Sequence, residues 1–265
     1  MEINLNNYDG VLAKSFPDNQ PHLNIKDIKE GETVNVICSI TSCVKLIQLC
    51  QVANIIDNAF AIKGTLQIPY LMAARFDRIM EHGDSFDLKV VASIINNLGF
   101  RKIEIFEPHS DVSLALINNS IARSSSFLAT YYNKSDSILI VPDAGASKKV
   151  DSYLKHNSKI IDVVHCVKKR DLSNGVITLK VLEPDKCLDR NCVIIDDLCD
   201  GGGTFIAIAE QIRPKNLTLI VAHGIFSKGF KHLEKHFNEI IVTNSYQSYF
   251  KNNYSTNIVQ EIELF

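Results

Sequence analysis

At 265 residues the chain is long enough for one large domain or two moderate ones, each with a core of its own. Its 28 lysines and arginines face 30 aspartates and glutamates, a formal net charge of -2, which leaves no global basic field for nucleic acid and points to small-molecule partners. The seven cysteines include no CxxC pair, and Cys43, Cys50, Cys166 and Cys192 lie in apolar runs, which excludes a paired-thiol metal site and suggests a reducing compartment.

The opening MEINLNNYDG has neither the basic start nor the apolar stretch of a signal peptide, and no later run is long and apolar enough to span a bilayer. A cytoplasmic protein without membrane contact is expected. Frequent Asn, Lys and Ile suit an AT-rich genome such as that of a bacterial virus, so the cytoplasm of an infected bacterium is one setting. Residues 33–39, TVNVICS, read as a buried strand, and from Thr41 the apolar spacing turns helical through Val44, Ile47, Val52 and Ile55. A second strand over 65–70 leads into LMAARFDR. Asp84-Ser85 then offers a helix start before Leu88, Val91, Ala92, Ile95 and Leu98, closed by Gly99. The strand 102–106 ends in EPHS, which places His109 just beyond a strand's carboxyl end.

The small polar run ARSSS near residue 124 marks a connection over about 119–130, with domains at 1–122 and 123–265. Alternation then resumes. Strand 138–141 runs into PDAGASKK, strand 159–164 into HCVKKRDLSNG, and strand 176–182 precedes VIIDDLCDGGGTF at 193–205. Strand 217–222, the loop HGIFSKG, a helix through His232 and strand 239–243 complete the pattern. Such alternation in both halves predicts an α/β protein of two doubly wound parallel-sheet domains facing each other across a cleft.

The stretch 193–205 is the one around which the chain is organised. Apolar strand residues run into the adjacent carboxylates Asp196 and Asp197, then Asp200, Gly201, Gly202, Gly203 and Thr204, after which a helical pattern begins. Carboxylates accept hydrogen bonds from vicinal sugar hydroxyls, and backbone without side chains lets N–H groups converge on a phosphate. An ordinary strand–helix turn is the plain alternative, but acids and glycines at these fixed offsets are more specific than a lone glycine loop.

The stretch resembles the phosphoribosyl diphosphate motif shared by type I phosphoribosyltransferases and the ribose-phosphate diphosphokinases. Other segments, in order, are similar to the diphosphokinases, and the rest follows from that resemblance. Phe16-Pro17-Asp18-Asn19-Gln20 resembles the family's adenine-binding turn, in which an aromatic ring stacks on the base; here Gln20 replaces an acid, an amide that still hydrogen-bonds adenine. In the family this turn serves a neighbouring subunit, which implies a homo-oligomer, a dimer or hexamer. IPYLMAARFDR at 68–78 is similar to the strand end and Arg-x-Asp-Arg that contact the nucleotide triphosphate, implicating Arg75, Asp77 and Arg78. A surface ion pair of Asp77 with either arginine is the competing account. His109 matches a histidine beside the triphosphate that helps hold magnesium, and Asp143 in VPDAG sits where a second metal-associated acid is found. Lys168, Lys169 and Arg170 resemble the basic run at the base of the catalytic loop, so Lys168 and Arg170, with His109, take the catalytic roles. HGIFSKG is similar to a His-x-x-Phe-Ser-Gly turn with Lys228 inserted, and places His223 near the nucleotide or the ribose turn.

The resemblance implies the type I phosphoribosyltransferase-like fold and an ATP-dependent, magnesium-requiring diphosphotransferase. Where the family usually has Asp-Thr-Gly-Gly-Thr, this chain has Gly201 in place of the threonine. A terminal 5-phosphate loses a hydrogen bond worth about 1–3 kcal/mol there, and a phosphate carrying a further group gains room. ADP-ribose, whose diphosphorylation serves NAD salvage in a phage branch of the family, is therefore the favoured acceptor over ribose 5-phosphate. A non-catalytic regulatory subunit and a simple type I phosphoribosyltransferase are the remaining alternatives.

Overall fold

The computed structural model describes residues 1–170, 177–249 and 256–265. The chain divides into two compact units, residues 1–124 together with Phe265, and residues 125–264. Among the described residues no helix is long and apolar enough to cross a membrane.

The first unit contains strands β1 (Glu2–Asn4), β2 (Val11–Ser15), β3 (Pro21–Ile25), β4 (Thr33–Ile37), β5 (Ile62–Ile68), β6 (Lys102–Phe106) and β7 (Ser120–Arg123), and helices α1 (Cys43–Asn58), α2 (Asp87–Asn96) and α3 (Val112–Leu116). Its five-stranded sheet runs β1-β4-β5-β6-β7 with every pairing parallel, and β2 and β3 form a separate antiparallel hairpin. The hairpin lies on α1, where the Gln51 amide donates to the Pro21 carbonyl at 2.7 Å. α1 starts where Ser42 supplies a cap, its hydroxyl accepting from the Lys45 amide. It buries Leu46, Leu49, Val52, Ala53 and Ile56 against the sheet. A fully buried Ile or Leu of this kind contributes about 1.5–3 kcal/mol by leaving water.

The second unit contains β8 (Ser137–Val141), α4 (Ala144–Ser147), α5 (Val150–His156), β9 (Ile160–Arg170), β10 (Ile177–Val181), β11 (Asn191–Cys199), α6 (Gly203–Ala209), β12 (Asn216–Gly224), β13 (Glu239–Thr243) and β14 (Val259–Ile262). Its seven-stranded sheet has the order β10-β9-β8-β11-β12-β13-β14 and is parallel except for the β9–β10 hairpin. The chain winds outward from β8 through β9 to β10, then returns to lay β11 on the other side of β8. The reversal creates a crevice beyond the carboxyl ends of β8 and β11, the position at which open α/β sheets bind ligands. The strands beside it are near-continuous apolar runs because both faces are covered: all five residues of β8 and eight of the nine in β12 are buried.

Several boundaries differ from the sequence reading. β9 continues to Arg170 instead of ending near residue 164, because the HCVKKR segment pairs with β10 in an antiparallel hairpin. Residues 120–123, expected in the connection, form the edge strand β7. β5 begins at Ile62 and ends at Ile68. α2 begins at Asp87, since the Asp84 carboxylate accepts from the Glu81 amide in a preceding turn and caps no helix. Seven free cysteines are present, of which Cys43 is exposed and Cys38, Cys166, Cys187, Cys192 and Cys199 are buried.

Candidate functional site

In the second unit the acid pair lies inside β11, not in a turn after it: Asp196 is in register with Val221 and Leu198 with His223. The Asp197 amide donates to the Asp196 carboxylate at 2.9 Å. Asp143 follows β8, the strand paired with β11, near enough for its charge to act on Asp196. Burial, the adjacent Asp197 charge and the nearby Asp143 charge hold the Asp196 carboxyl well above the usual aspartate range. Asp143 has a structural task as well: one of its oxygens accepts from the Gly145 and Ala146 amides, at 2.9 and 3.0 Å, and caps α4. Its other oxygen is left for a further contact. Among the described residues no three His, Cys, Asp or Glu side chains are grouped closely enough to hold a metal on their own.

The turn Asp200-Gly201-Gly202-Gly203-Thr204 follows directly. Gly202 adopts φ +75, and a Cβ on it would fall 2.7 Å from Leu233, so both backbone and space demand glycine here. The turn is fastened through its carbonyls. Cys199 accepts from the Ile225 and Phe226 amides at 2.8 and 3.2 Å, and the Gly201 carbonyl takes the His232 Nε2 at 3.0 Å. His223, expected near the nucleotide or ribose turn, is buried in β12 beside Leu198, its Nδ1 2.8 Å from the Ser245 hydroxyl. Lys168 and Arg170 occupy the last strand positions of β9, with Lys168 opposite Leu179 and Arg170 opposite Ile177. The side chains of 168–170 and Asp171 lie outside the described residues.

In the first unit the candidate residues gather at the carboxyl ends of β5 and β6. Asp77 is buried and is gripped by Arg78, with Nε at 2.8 Å from one carboxylate oxygen and an NH2 at 3.2 Å from the other. Arg78, with Ser110 and His109 close by, holds the Asp77 carboxyl below its ordinary value. The loops after β5 and β6 therefore converge on one carboxylate. Arg75 and His109 are exposed, and a cavity of about 300 Å³ is lined by Arg75, Asp77, Arg78, Met80 and Asp84 among others. Phe16, Asp18 and Gln20 sit at the exposed tip of the β2–β3 hairpin. The tip is closed by Phe16 N–H to the Gln20 carbonyl at 3.0 Å and by the Gln20 amide to Asp18 at 3.1 Å.

No protein-family model matches the chain. Ribose-phosphate pyrophosphokinase 2 of Archaeoglobus fulgidus is 25% identical over 250 residues, which covers 91% of this chain and 86% of that protein. Ribose-phosphate pyrophosphokinase 4 of Arabidopsis thaliana is 27% identical over 234 residues, covering 81% and 67%. The crystal structure of the phosphoribosylpyrophosphate synthetase of Mycobacterium smegmatis superposes with a TM-score of 0.80 at 16% identity, over 96% of this chain and 85% of that one. Over most of its length the chain is therefore similar to the ribose-phosphate pyrophosphokinases, and it shares the fold of a phosphoribosylpyrophosphate synthetase.

Sequence reasoning missed three features of the candidate-site loops. Ala73, Glu107 and Phe226, which follow β5, β6 and β12, all have positive φ, at 63, 42 and 47 degrees. Non-glycine residues in that region cost about 1–3 kcal/mol each and persist where surrounding contacts over-determine them. Glu107 is also a buried acid. His232, assigned no role from the sequence, anchors the glycine turn at the Gly201 carbonyl. Nothing in residue type marks these positions; only their place just beyond strand ends does.

Proposed function

We propose that this chain transfers the β,γ-diphosphate of magnesium-ATP to the anomeric 1-hydroxyl of a ribose 5-phosphoryl acceptor and releases AMP. The observation that carries the reading is the Asp196–Asp197 pair near the end of β11, with the Asp196 carboxyl raised above its ordinary value, followed at once by the left-handed Gly202 turn. The acids accept hydrogen bonds from the 2- and 3-hydroxyls, and the turn 200–204 takes the 5-phosphate. The acceptor oxygen then forms a bond to the β-phosphorus while the bond from that phosphorus to the oxygen bridging the α-phosphate breaks. AMP departs with the bridging oxygen, and the hydroxyl proton passes to water.

The first unit supplies the nucleotide set. Phe16 stacks on adenine, Asp18 and Gln20 meet its polar edge, and Arg75, Arg78 and His109 face the triphosphate, with Asp77 fixing Arg78. Asp143, with substrate phosphates, would hold magnesium in the second unit, and the resemblance gives His109 of the first unit a metal-associated role beside the triphosphate. The open Asp143 oxygen and the excess negative charge that Asp196 registers suit a divalent cation. When bound, the ion neutralises phosphate charge. Lys168 and Arg170 stabilise the charge that develops on the transferring group. The exposed hairpin tip suits a homo-oligomer in which it serves a second copy.

ADP-ribose is our preferred acceptor, because Gly201 removes a hydroxyl donor to a terminal phosphate. The likeness to ribose-phosphate pyrophosphokinases favours ribose 5-phosphate as the second reading. The test is to incubate the purified protein with magnesium-ATP and each sugar separately and to identify products by mass. AMP together with an ADP-ribose species two phosphates heavier is the expected result. Diphosphorylation of ribose 5-phosphate alone would reject the acceptor, and absence of ATP-to-AMP conversion with either sugar would reject the enzyme in favour of a regulatory subunit.

A further inference from the structure

The space that Gly201 leaves is not empty. The three atoms nearest a Cβ built on Gly201 are all from the stem of Lys228, with Cε at 3.4 Å, Cδ at 3.5 Å and Cγ at 3.8 Å. The methylenes therefore lie on the glycine, and the exposed ammonium is carried past it. Lys228 is also presented by a fixed turn. The Gly229 amide donates to the Phe226 carbonyl at 2.8 Å, and Phe226 packs on Phe230 and Tyr249 with ring centroids at 4.6 and 5.5 Å. The same segment is bonded to the ribose turn at Cys199 and, through His232, at Gly201. A lysine inserted in this turn and a glycine in the ribose turn are thus two halves of one arrangement: a β-branched residue at 201 would compete with the lysine stem for the same volume.

We propose that Lys228 selects the acceptor by binding the outer phosphate of a ribose whose 5-phosphate continues into a diphosphate ester. The proposal rests on the reading that the turn 200–204 holds the 5-phosphate. A phosphate seated on that turn meets backbone donors, whereas the ammonium stands beyond the glycine, where a second phosphate would lie. An ammonium suits this task because it is a mobile point charge that can follow a flexible diphosphate.

The experiment compares wild type, Lys228→Met, Lys228→Arg and Gly201→Thr with ADP-ribose and ribose 5-phosphate. Methionine keeps the stem and removes the charge. The expected result is a fall of about tenfold or more in the ratio of kcat/KM for ADP-ribose to that for ribose 5-phosphate in Lys228→Met, expressed in KM, with most of it restored by Lys228→Arg. Gly201→Thr moves the ratio the same way. Equal losses with both acceptors, an unchanged ratio, or a wild type that neither binds nor uses ADP-ribose would overturn the proposal. Calorimetric titration with the same two ligands separates this from the enzyme assignment. If the wild type makes no AMP, the diphosphokinase reading fails, and a tenfold loss of ADP-ribose affinity in Lys228→Met still upholds the role of Lys228, while unchanged affinity overturns it.

Discussion

Two aspartates, one in each unit, are perturbed in opposite directions, and the signs have separate consequences. The folded Asp196 carboxyl holds its proton more tightly than an unfolded aspartate does. Its contribution to stability is therefore fully present below the ordinary aspartate value and lost as pH rises through the raised one, which leaves the unliganded fold weaker towards neutral pH than in acid. Asp196→Asn should raise the melting temperature at pH 7 and flatten its decline with pH, while lowering turnover by about a hundredfold or more, because a carboxylate that accepts from the sugar is lost. Melting curves between pH 4 and 8 and an AMP assay check both halves; a variant that melts lower than wild type would contradict the account. Asp77 is the reverse case. Its folded value is depressed, so the stability it contributes is present above the ordinary aspartate value and disappears as pH falls through the lowered one. Arg78→Ala should lower the melting temperature at pH 7 and do so progressively less towards acid. Gly202→Ala should destabilise by about 1–3 kcal/mol, since alanine at φ +75 is strained and its Cβ would meet Leu233, which denaturant titration will read.

Between strands and loops, β11 bears the greatest demand, since it is a central strand of its sheet and carries the acid pair at its end. Ile194 is wholly buried there, and Ile194→Ala should cost about 2–5 kcal/mol in denaturant unfolding. The elements legible in the sequence were those with one dominant period. β6 has the bounds read from KIEIF, while α1 begins close to the expected start but turns Leu46 and Leu49 inward and leaves Val44 and Ile47 of the expected spacing exposed. β9 was cut short because a hairpin arm alternates a buried and a solvated face. Val164 and Cys166 are buried while His165 and Val167 are exposed, and the polar members read as loop. β7 was missed for a related reason: a four-residue edge strand with three exposed residues carries almost no apolar signal. The acids and glycines of the site were visible from residue type and spacing. Their supports, Lys228 over Gly201 and His232 on its carbonyl, were not, because a contact spanning about thirty residues leaves no local pattern.

Over the molecule as a whole, each unit closes its own core, one drawn from residues 3–117 and the other from 138–249. Scanning calorimetry should accordingly resolve two transitions. Magnesium-ATP should raise the one belonging to residues 1–124 and the acceptor sugar the one belonging to residues 125–264, by about 2.7 kcal/mol at a hundred times Kd. A single transition moved equally by either ligand would show that the units do not unfold separately.

The buried thiols turn this into something that can be counted. Burial pushes Cys38, Cys166 and Cys199 up to about 12, so in the native protein they carry almost no thiolate and resist alkylation, while Cys43 is open to reagent. Cys38 belongs to the first unit, and Cys166, Cys187, Cys192 and Cys199 to the second. Mass tags added under partial denaturation will therefore form a ledger of which half has opened, read peptide by peptide without any engineered label.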